Sequence, residues 1–459
     1  MLTYDLEERG GLSRYDYLSR RIKEDIRSGV LAAGEKLPSK RSLAAHLRVS
    51  LSTVESAYSQ LAAEGYIVAR EKRGYFICAV ERGTEPAPFP PREEETQEEG
   101  KWLLDLKQGG WGTLEFPYTV WARLMRQVLT QEGETLLRPS SNSGALPLRQ
   151  ALARYLYRFR GMTVSPGQIV VGAGADHLYG QVVQLLGREK RYGVERPGYA
   201  KIRQVYQLYG ACCIDIEAGW DGVDPEQVVR SGAEVLHLSP GHQFPTGAVI
   251  PIGRRQALLR WASEGEGRYI LEDDYDSEFR FTGRPIPTMQ SIDTGGRVLY
   301  LNTFSRTLAP SLRISYLVLP SDLVETYRQR LGFYSCPVPV AEQLTLARFL
   351  EEGHFESHIN RMRSRYRTAR RAVLSALAGS PLAGRYALRG EEDGLHFLLR
   401  LDTNLSDGEL SRRGMEAGLR LAFLSDYGGR EPHWLVVNDP GVDLAALPAA
   451  LERLAELLD

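Results

Sequence analysis

Cysteine is scarce in this chain: four in 459 residues, Cys78, Cys212, Cys213 and Cys336. None forms a C-x-x-C pair, and Cys212 and Cys213, as neighbours in a strand, face opposite sides. A metal knot or a disulfide framework is therefore not expected, and reduced, buried thiols are. Long apolar runs are missing too. No stretch reaches the roughly 18 residues of a membrane span, and the N-terminus lacks a signal-peptide core, so a cytoplasmic protein is expected. Net charge is close to absent, at −1. With 43% hydrophobic and 25% charged residues, the composition is that of an ordinary globular protein. The length exceeds one core of usual size, which predicts two or three domains.

The near-zero net charge conceals an uneven distribution. Residues 35–75 carry Lys36, Lys40, Arg41, Arg48, Arg70, Lys72 and Arg73 against four glutamates, whereas residues 81–100 carry seven glutamates against Arg82 and Arg92. A basic patch followed by an acidic spacer suggests a polyanion-binding head on a tether. In the head, Tyr15, Leu18, Ile22 and Ile26 recur at helical spacing, and Gly29 ends that helix. Ser39 caps a second helix that holds Arg41 in its first turns. Ser50 caps a third, which buries Val54, Ala57, Tyr58 and Leu61 and ends at Glu64-Gly65. Two short β runs, Tyr66–Arg70 and Gly74–Ile77, flank a basic turn. Three helices and a basic hairpin predict a winged helix-turn-helix over residues 1–80. Its third helix enters a major groove with Ser50, Ser52 and Thr53 at its N-terminus, and its wing offers Arg70, Lys72 and Arg73 to phosphates. Gly34 through Tyr66 resemble the GntR-family head, G-x-x-L-P-S-x-R-x-L-A-x-x-L-x-V-S-x-x-T-V-x-x-A-Y-x-x-L-x-x-x-G-Y, almost throughout.

Residues 81–101 combine Pro86, Pro88, Pro90 and Pro91 with the acidic run Glu93–Glu99. Prolines and like charges cannot bury enough apolar surface to fold, so an extended linker is expected. From 102 to 459, apolar β-rich runs alternate with helical stretches: Gln168–Val171, Tyr192–Glu195, Cys212–Ile216, Val235–Leu238, Tyr269–Asp273, Val298–Leu301 and Ile314–Leu319. This alternation predicts βαβ units around a mostly parallel sheet, with ligands bound beyond the carboxyl ends of the strands. The loops at those ends carry the chemistry. Gly172-Ala173-Gly174-Ala175-Asp176 leaves a strand and opens a helix, a place suited to an anion. Pro197-Gly198-Tyr199 offers an aromatic face. Ser239–Gly247, Glu272–Phe279 and Thr303–Arg313 follow. The carboxylates Glu272, Asp273 and Asp274 could suggest a metal, but no histidine stands near them in sequence, so none is expected.

In order and spacing these loops resemble the fold-type I, pyridoxal phosphate (PLP) dependent aminotransferases. Together with the head they resemble the MocR branch of GntR regulators, a winged helix fused to an aminotransferase-like domain that senses PLP or its adducts. The resemblance includes Phe116-Pro117-Tyr118 and Gly144–Arg149 and covers nearly the whole chain apart from the linker. It implies that Asp273 faces the pyridine nitrogen, Tyr275 approaches the ring's 3′ oxygen and Tyr199 stacks on the ring. The backbone at Ala175 and Asp176, with Thr303, Ser305 and Arg313, would hold the phosphate, and Gln243 also belongs to the implied cofactor set. Lys201 stands where relatives that sense an amino acid can place a carboxylate-binding arginine, and Arg430 or His433 is the substitute expected near the C-terminus.

One departure bears on chemistry. In Thr303-Phe304-Ser305-Arg306-Thr307 the residue aligned with the family's Schiff-base lysine is Arg306. A guanidinium stays protonated and is a poor nucleophile, so PLP would bind only through ring and phosphate contacts, with Arg306 as a possible anion clamp. The reading is a homodimeric, cytoplasmic, DNA-binding transcriptional regulator, not an enzyme, whose aminotransferase-like domain binds a small effector. The alternatives are a working aminotransferase with an accessory DNA-binding head, and a ligand-free dimerisation module.

Overall fold

The computed structural model of the chain describes residues 2–80, 102–107, 116–281 and 286–458. It divides into two compact units, 1–99 and 100–459. The stretch read as a tether, 81–101, lies outside the described residues.

The first unit is built on three capped helices. Helix α1 (Arg14–Ser28) starts where the Ser13 hydroxyl accepts from Asp16 N, and it stops at Gly29, whose φ of 82° is open to glycine at little cost. It buries Tyr17, Leu18, Ile22 and Ile26, whereas Tyr15 is 41% exposed. The inward aromatic is thus Tyr17, because the buried stripe is rotated from the one read in the sequence. Helices α2 (Lys40–Leu47) and α3 (Leu51–Ala63) are capped by Ser39 and Ser50. Val54, Ala57, Tyr58 and Leu61 are fully buried, and the Tyr58 hydroxyl donates to Pro38 O at 2.9 Å. Burial of each large apolar side chain stabilises by roughly 1.5–3 kcal/mol, so Leu61→Ala would cost about 2–5 kcal/mol. Strands β1 (Ile67–Arg70) and β2 (Gly74–Ile77) pair antiparallel, Ile67 opposite Ile77, with Lys72 at φ 58° in the turn.

The second unit centres on a large sheet. After β3 (Leu104–Asp105) come β4 (Ile169–Gly172), β5 (Arg191–Arg196), β6 (Cys212–Gly219), β7 (Gly222–Val223), β8 (Val235–Leu238), β9 (Tyr269–Asp273), β10 (Val298–Thr303) and β11 (Ser315–Val318). The spatial order is β4-β11-β10-β9-β8-β5-β6-β7, with β5, β6, β8, β9 and β10 parallel. Strand β11 runs antiparallel to both β10 and β4. Alternate residues supply two cores. Val171, Tyr300, Tyr316 and Val318 pack on one side, and Val170, Leu271, Leu299, Leu301 and Leu317 on the other. Both faces are covered, which explains why these strands read as continuous apolar runs.

A second, antiparallel sheet of β12 (Tyr386–Arg389), β13 (Phe397–Leu401) and β15 (Trp434–Val437) packs against the long helix His354–Ala378, while β14 (Leu419–Arg420) pairs with β3. The buried Arg370 guanidinium grips both carboxylate oxygens of Asp439, at 2.8 and 2.7 Å. Among the described residues no helix is long and apolar enough to cross a membrane.

Candidate functional site

Four strand ends and two helix starts converge on a cavity of about 440 Å³ in the second unit. Helix α4 (Ala175–Leu186) begins directly after β4, and Gly174 makes the turn at φ 95°. A Cβ on Gly174 would collide with the Arg313 guanidinium, so glycine here keeps room for that arginine. Arg313 itself sits in the left-handed region at φ 50°, donates to Ala173 O at 3.3 Å and pairs with Asp176. Lys201, on helix α5 (Ala200–Leu208), pairs with the other oxygen of Asp176 at 2.9 Å. Partial burial works against the Asp176 charge, but Lys201 and Arg313 win and hold its carboxyl below the usual range. Thr303 Oγ1 accepts from Ser305 N at 3.1 Å and from Ser315 Oγ at 2.8 Å. This end of the cavity, with free helix-start N–H groups and two cations, has the chemistry of an anion site.

The opposite end is carboxyl-lined. Asp273, at the end of β9, accepts from the Tyr179 hydroxyl at 2.5 Å, and His237 Nε2 lies 3.3 Å from the same oxygen, Oδ2. Tyr206 in turn lies 2.7 Å from His237 Nδ1. Asp273 is only 6% exposed, and its Oδ1 has no protein partner. A buried acceptor left open is costly unless something donates to it, and a protonated ring nitrogen is one such donor. Tyr275 lines the same wall. Burial first, then Asp276, push its phenol well above the ordinary value, while the Arg306 charge opposes them. Tyr199, half exposed, stands edge-on to Phe244 with centroids 6.3 Å apart.

Ala175, Asp176, Tyr199, Asp273, Tyr275, Thr303, Ser305, Arg306 and Arg313, all expected from the sequence, line this one cavity, as does Lys201. Gln243 does not. It is fully buried, its Nε2 donates to Pro197 O and Phe244 O, and its Oε1 accepts from the backbone and hydroxyl of Thr246. Its carboxamide is consumed in shaping the 239–247 loop, and the next residue, Phe244, faces the cavity instead. Arg430 pairs with Glu217 at 2.6 Å and His433 N donates to Asp407; neither lines the cavity, whereas Arg196 and Arg203, both bound to Asp215, do. Sequence reading missed Tyr179, Glu195, His237, Phe244 and Tyr427, which also line it. A single polar residue inside the otherwise apolar run Val235–Leu238 was the one signal that could have found His237.

Histidines approach the acidic segment in space although none stands near it in sequence, because folding brings β8 and its loop beside β9. Besides His237 on Asp273, His242 Nδ1 lies 2.7 Å from Asp276. One ligand atom each of His242, Asp276 and His396 falls within 4.8 Å of the others, and His396 Nε2 lies 3.1 Å from Pro245 O. Burial, His242, Arg370 and Arg306 hold His396 well below its ordinary value.

In the first unit Ser39 accepts from Ser42 N at 3.1 Å and Ser50 from Thr53 N at 3.2 Å, so both hydroxyls are used as caps. Ser52 and Thr53 hydroxyls lie 2.9 and 2.7 Å from Ser50 Oγ at the exposed start of α3. Arg41, Arg70, Lys72 and Arg73 are exposed, with Arg70 4.6 Å over the Phe76 ring.

Residues 14–77 match the bacterial regulatory proteins of the gntR family, and residues 106–422 match aminotransferase class I and II. The uncharacterised HTH-type transcriptional regulator YdeL of Bacillus subtilis is 37% identical over 413 residues, 89% of this chain and 88% of the relative. The HTH-type pyridoxine biosynthesis transcriptional regulator PdxR of Corynebacterium glutamicum is 32% identical over 90% and 88%. Among solved structures, the multiple substrate aminotransferase of Thermococcus profundus superposes with a TM-score of 0.69 over 79% of this chain and 92% of that one, at 23% identity, which speaks for the fold alone. The chain belongs to the gntR-family bacterial transcriptional regulators in which the helix-turn-helix head is joined to an aminotransferase class I and II domain.

Proposed function

We propose that this regulator is an operator-binding homodimer whose aminotransferase-like domain binds PLP, a PLP adduct or a related anionic ligand reversibly, without covalent attachment and without catalysis. The residues present fit most of that cofactor. Asp273 Oδ1, buried and without a partner, suits its protonated ring nitrogen. The α4 start with Ser305 and Arg313 suits its phosphate, and Tyr199 and Tyr275 flank the ring position. When bound, PLP supplies an electron-withdrawing ring and an aldehyde able to take up an amine. The attachment point does not fit, because position 306 offers a guanidinium rather than an amine.

The observation that carries this reading is the convergence of an open carboxylate oxygen, an anion-suited helix start and Arg306 on one cavity. The catalytic reading is kept in view by Lys201, whose amine also lines the cavity, but that amine is engaged by Asp176. Thermal unfolding of the full chain with and without PLP tests the reading, since a ligand of the native state raises stability by mass action. An upward shift that dialysis reverses is expected, together with changed operator affinity in the presence of PLP. Unchanged unfolding and unchanged operator affinity at millimolar PLP would overturn it.

A further inference from the structure

Asp273 is not alone on the carboxyl-lined wall. Glu195 is the penultimate residue of β5, two strands from β9 with β8 between them. Its Oε2 accepts from Ser239 N at 2.9 Å, the first backbone N–H beyond β8. Its Oε1 is shielded from solvent and has no partner, and the residue lines the cavity. The two acids are thus arranged alike. Each residue lines the cavity with one oxygen fixed by the protein, Asp273 by Tyr179 and Glu195 by Ser239, and the other buried without a partner.

We propose that Glu195 is a second point of ligand recognition, so that this wall selects a heteroaromatic molecule with a ring nitrogen for Asp273 and a polar, hydrogen-bonding substituent beside that nitrogen for Glu195. The inference rests on the cavity being a small-ligand site. A buried polar group that goes unpaired penalises any ligand unable to meet it, and this is how polar sites reject analogues lacking one group. PLP itself carries a methyl and a hydrogen on the two carbons flanking its ring nitrogen, so it meets Asp273 and leaves Glu195 unmet. Burial raises the Glu195 carboxyl to about 8, with Asp273 adding to the shift. Since Oε2 already accepts from Ser239, the proton of the neutral acid stands on Oε1, where it donates to the ligand. A hydroxymethyl group has both the acceptor lone pairs and the geometry to take that bond.

Two phosphate-free fragments test the wall apart from the anion end: 3-hydroxypyridine, and 2-(hydroxymethyl)-3-hydroxypyridine. Their affinities for the full chain are read by ligand-observed NMR at millimolar concentration. The hydroxymethyl fragment is expected to bind at least fivefold more tightly to the unmodified protein. Glu195→Gln, whose carboxamide can accept from Ser239 and donate into the cavity, keeps that preference, and Glu195→Leu abolishes it. Equal affinities in the unmodified chain, no binding of either fragment, or the same preference in the leucine variant would each overturn the proposal. A fragment preference without any response to PLP would instead defeat the PLP reading and leave Glu195 standing. A PLP response without the preference would do the reverse.

Discussion

Lys201 and Arg313 hold the carboxylate of Asp176 from two sides, at the start of the helix where a ligand's anion would sit. The carboxylate occupies the cations that an entering phosphate would use. Replacing it with a neutral amide removes the competitor and keeps the shape. Asp176→Asn is therefore expected to tighten inorganic phosphate or PLP binding about tenfold, equivalent to about 1.4 kcal/mol, measured by calorimetry. Unchanged or weaker binding would mean that Asp176 supports the anion site rather than competing for it.

If the cavity holds PLP as proposed, position 306 decides between reversible and covalent binding. Arg306→Lys supplies a primary amine whose pKa a buried site can depress. With PLP and borohydride, the lysine variant is expected to gain the mass of a reduced PLP adduct at residue 306, and the unmodified chain is not. An adduct on Lys201 of the unmodified chain would move the reactive position there.

The head is expected to bind duplex DNA with a steep salt dependence through released counterions. Arg41→Ala and a Ser52→Ala/Thr53→Ala double variant should weaken operator binding, while Lys72→Ala with Arg73→Ala should flatten the salt slope. Unaltered affinity and slope in all of them would remove these residues from the interface. Ser50→Ala is a different test: loss of its cap is expected to cost about 1 kcal/mol of stability, apart from any effect on DNA.

Assembly is testable through exposed apolar side chains of the second unit. Phe333 and Tyr334 stack with centroids 4.2 Å apart, and Phe333 is 76% exposed, as Leu137 is 85%. The full chain is expected to sediment as a dimer at micromolar concentration, and Phe333→Asp with Leu137→Asp to shift it toward monomer. A monomeric unmodified chain would refute the dimer.

The Glu195 carboxyl also sets a pH dependence. Its folded value of about 8 lies above the roughly 4.3 of an unfolded glutamate. Its contribution to stability is therefore complete below about pH 4 and is lost as the pH rises through 8. Glu195→Gln removes that loss, so the melting temperature of the variant relative to the unmodified chain should rise between pH 5 and pH 8. Parallel melting curves across that range would show that Glu195 is not buried as the structure has it.

Much of this was legible in the sequence because it is local. Apolar runs marked all seven of the strands read from them, and serines three residues before an amide marked the caps. What was not legible depended on tertiary approach. Tyr17 rather than Tyr15 turns inward because the remaining helices set the buried face of α1. Gln243 looked like a contact residue, yet its amide is spent on the carbonyls of Pro197 and Phe244 and on Thr246. His237, Tyr179 and Glu195 come together only when β5, β8 and β9 lie side by side and α4 covers them. The antiparallel direction of β11 was likewise hidden, since a buried strand reads alike in either direction.

That reversal at β11 has an evolutionary consequence. Residues 304–314 form a loop whose two stems are interior strands, clamped from Thr303 opposite Ser315 to Tyr300 opposite Val318. The ladder bonds that hold the stems belong to the backbone, while Arg306 lies in the loop between them. Over evolution the side chain at 306 can therefore be exchanged without rebuilding the paired strands that hold the loop.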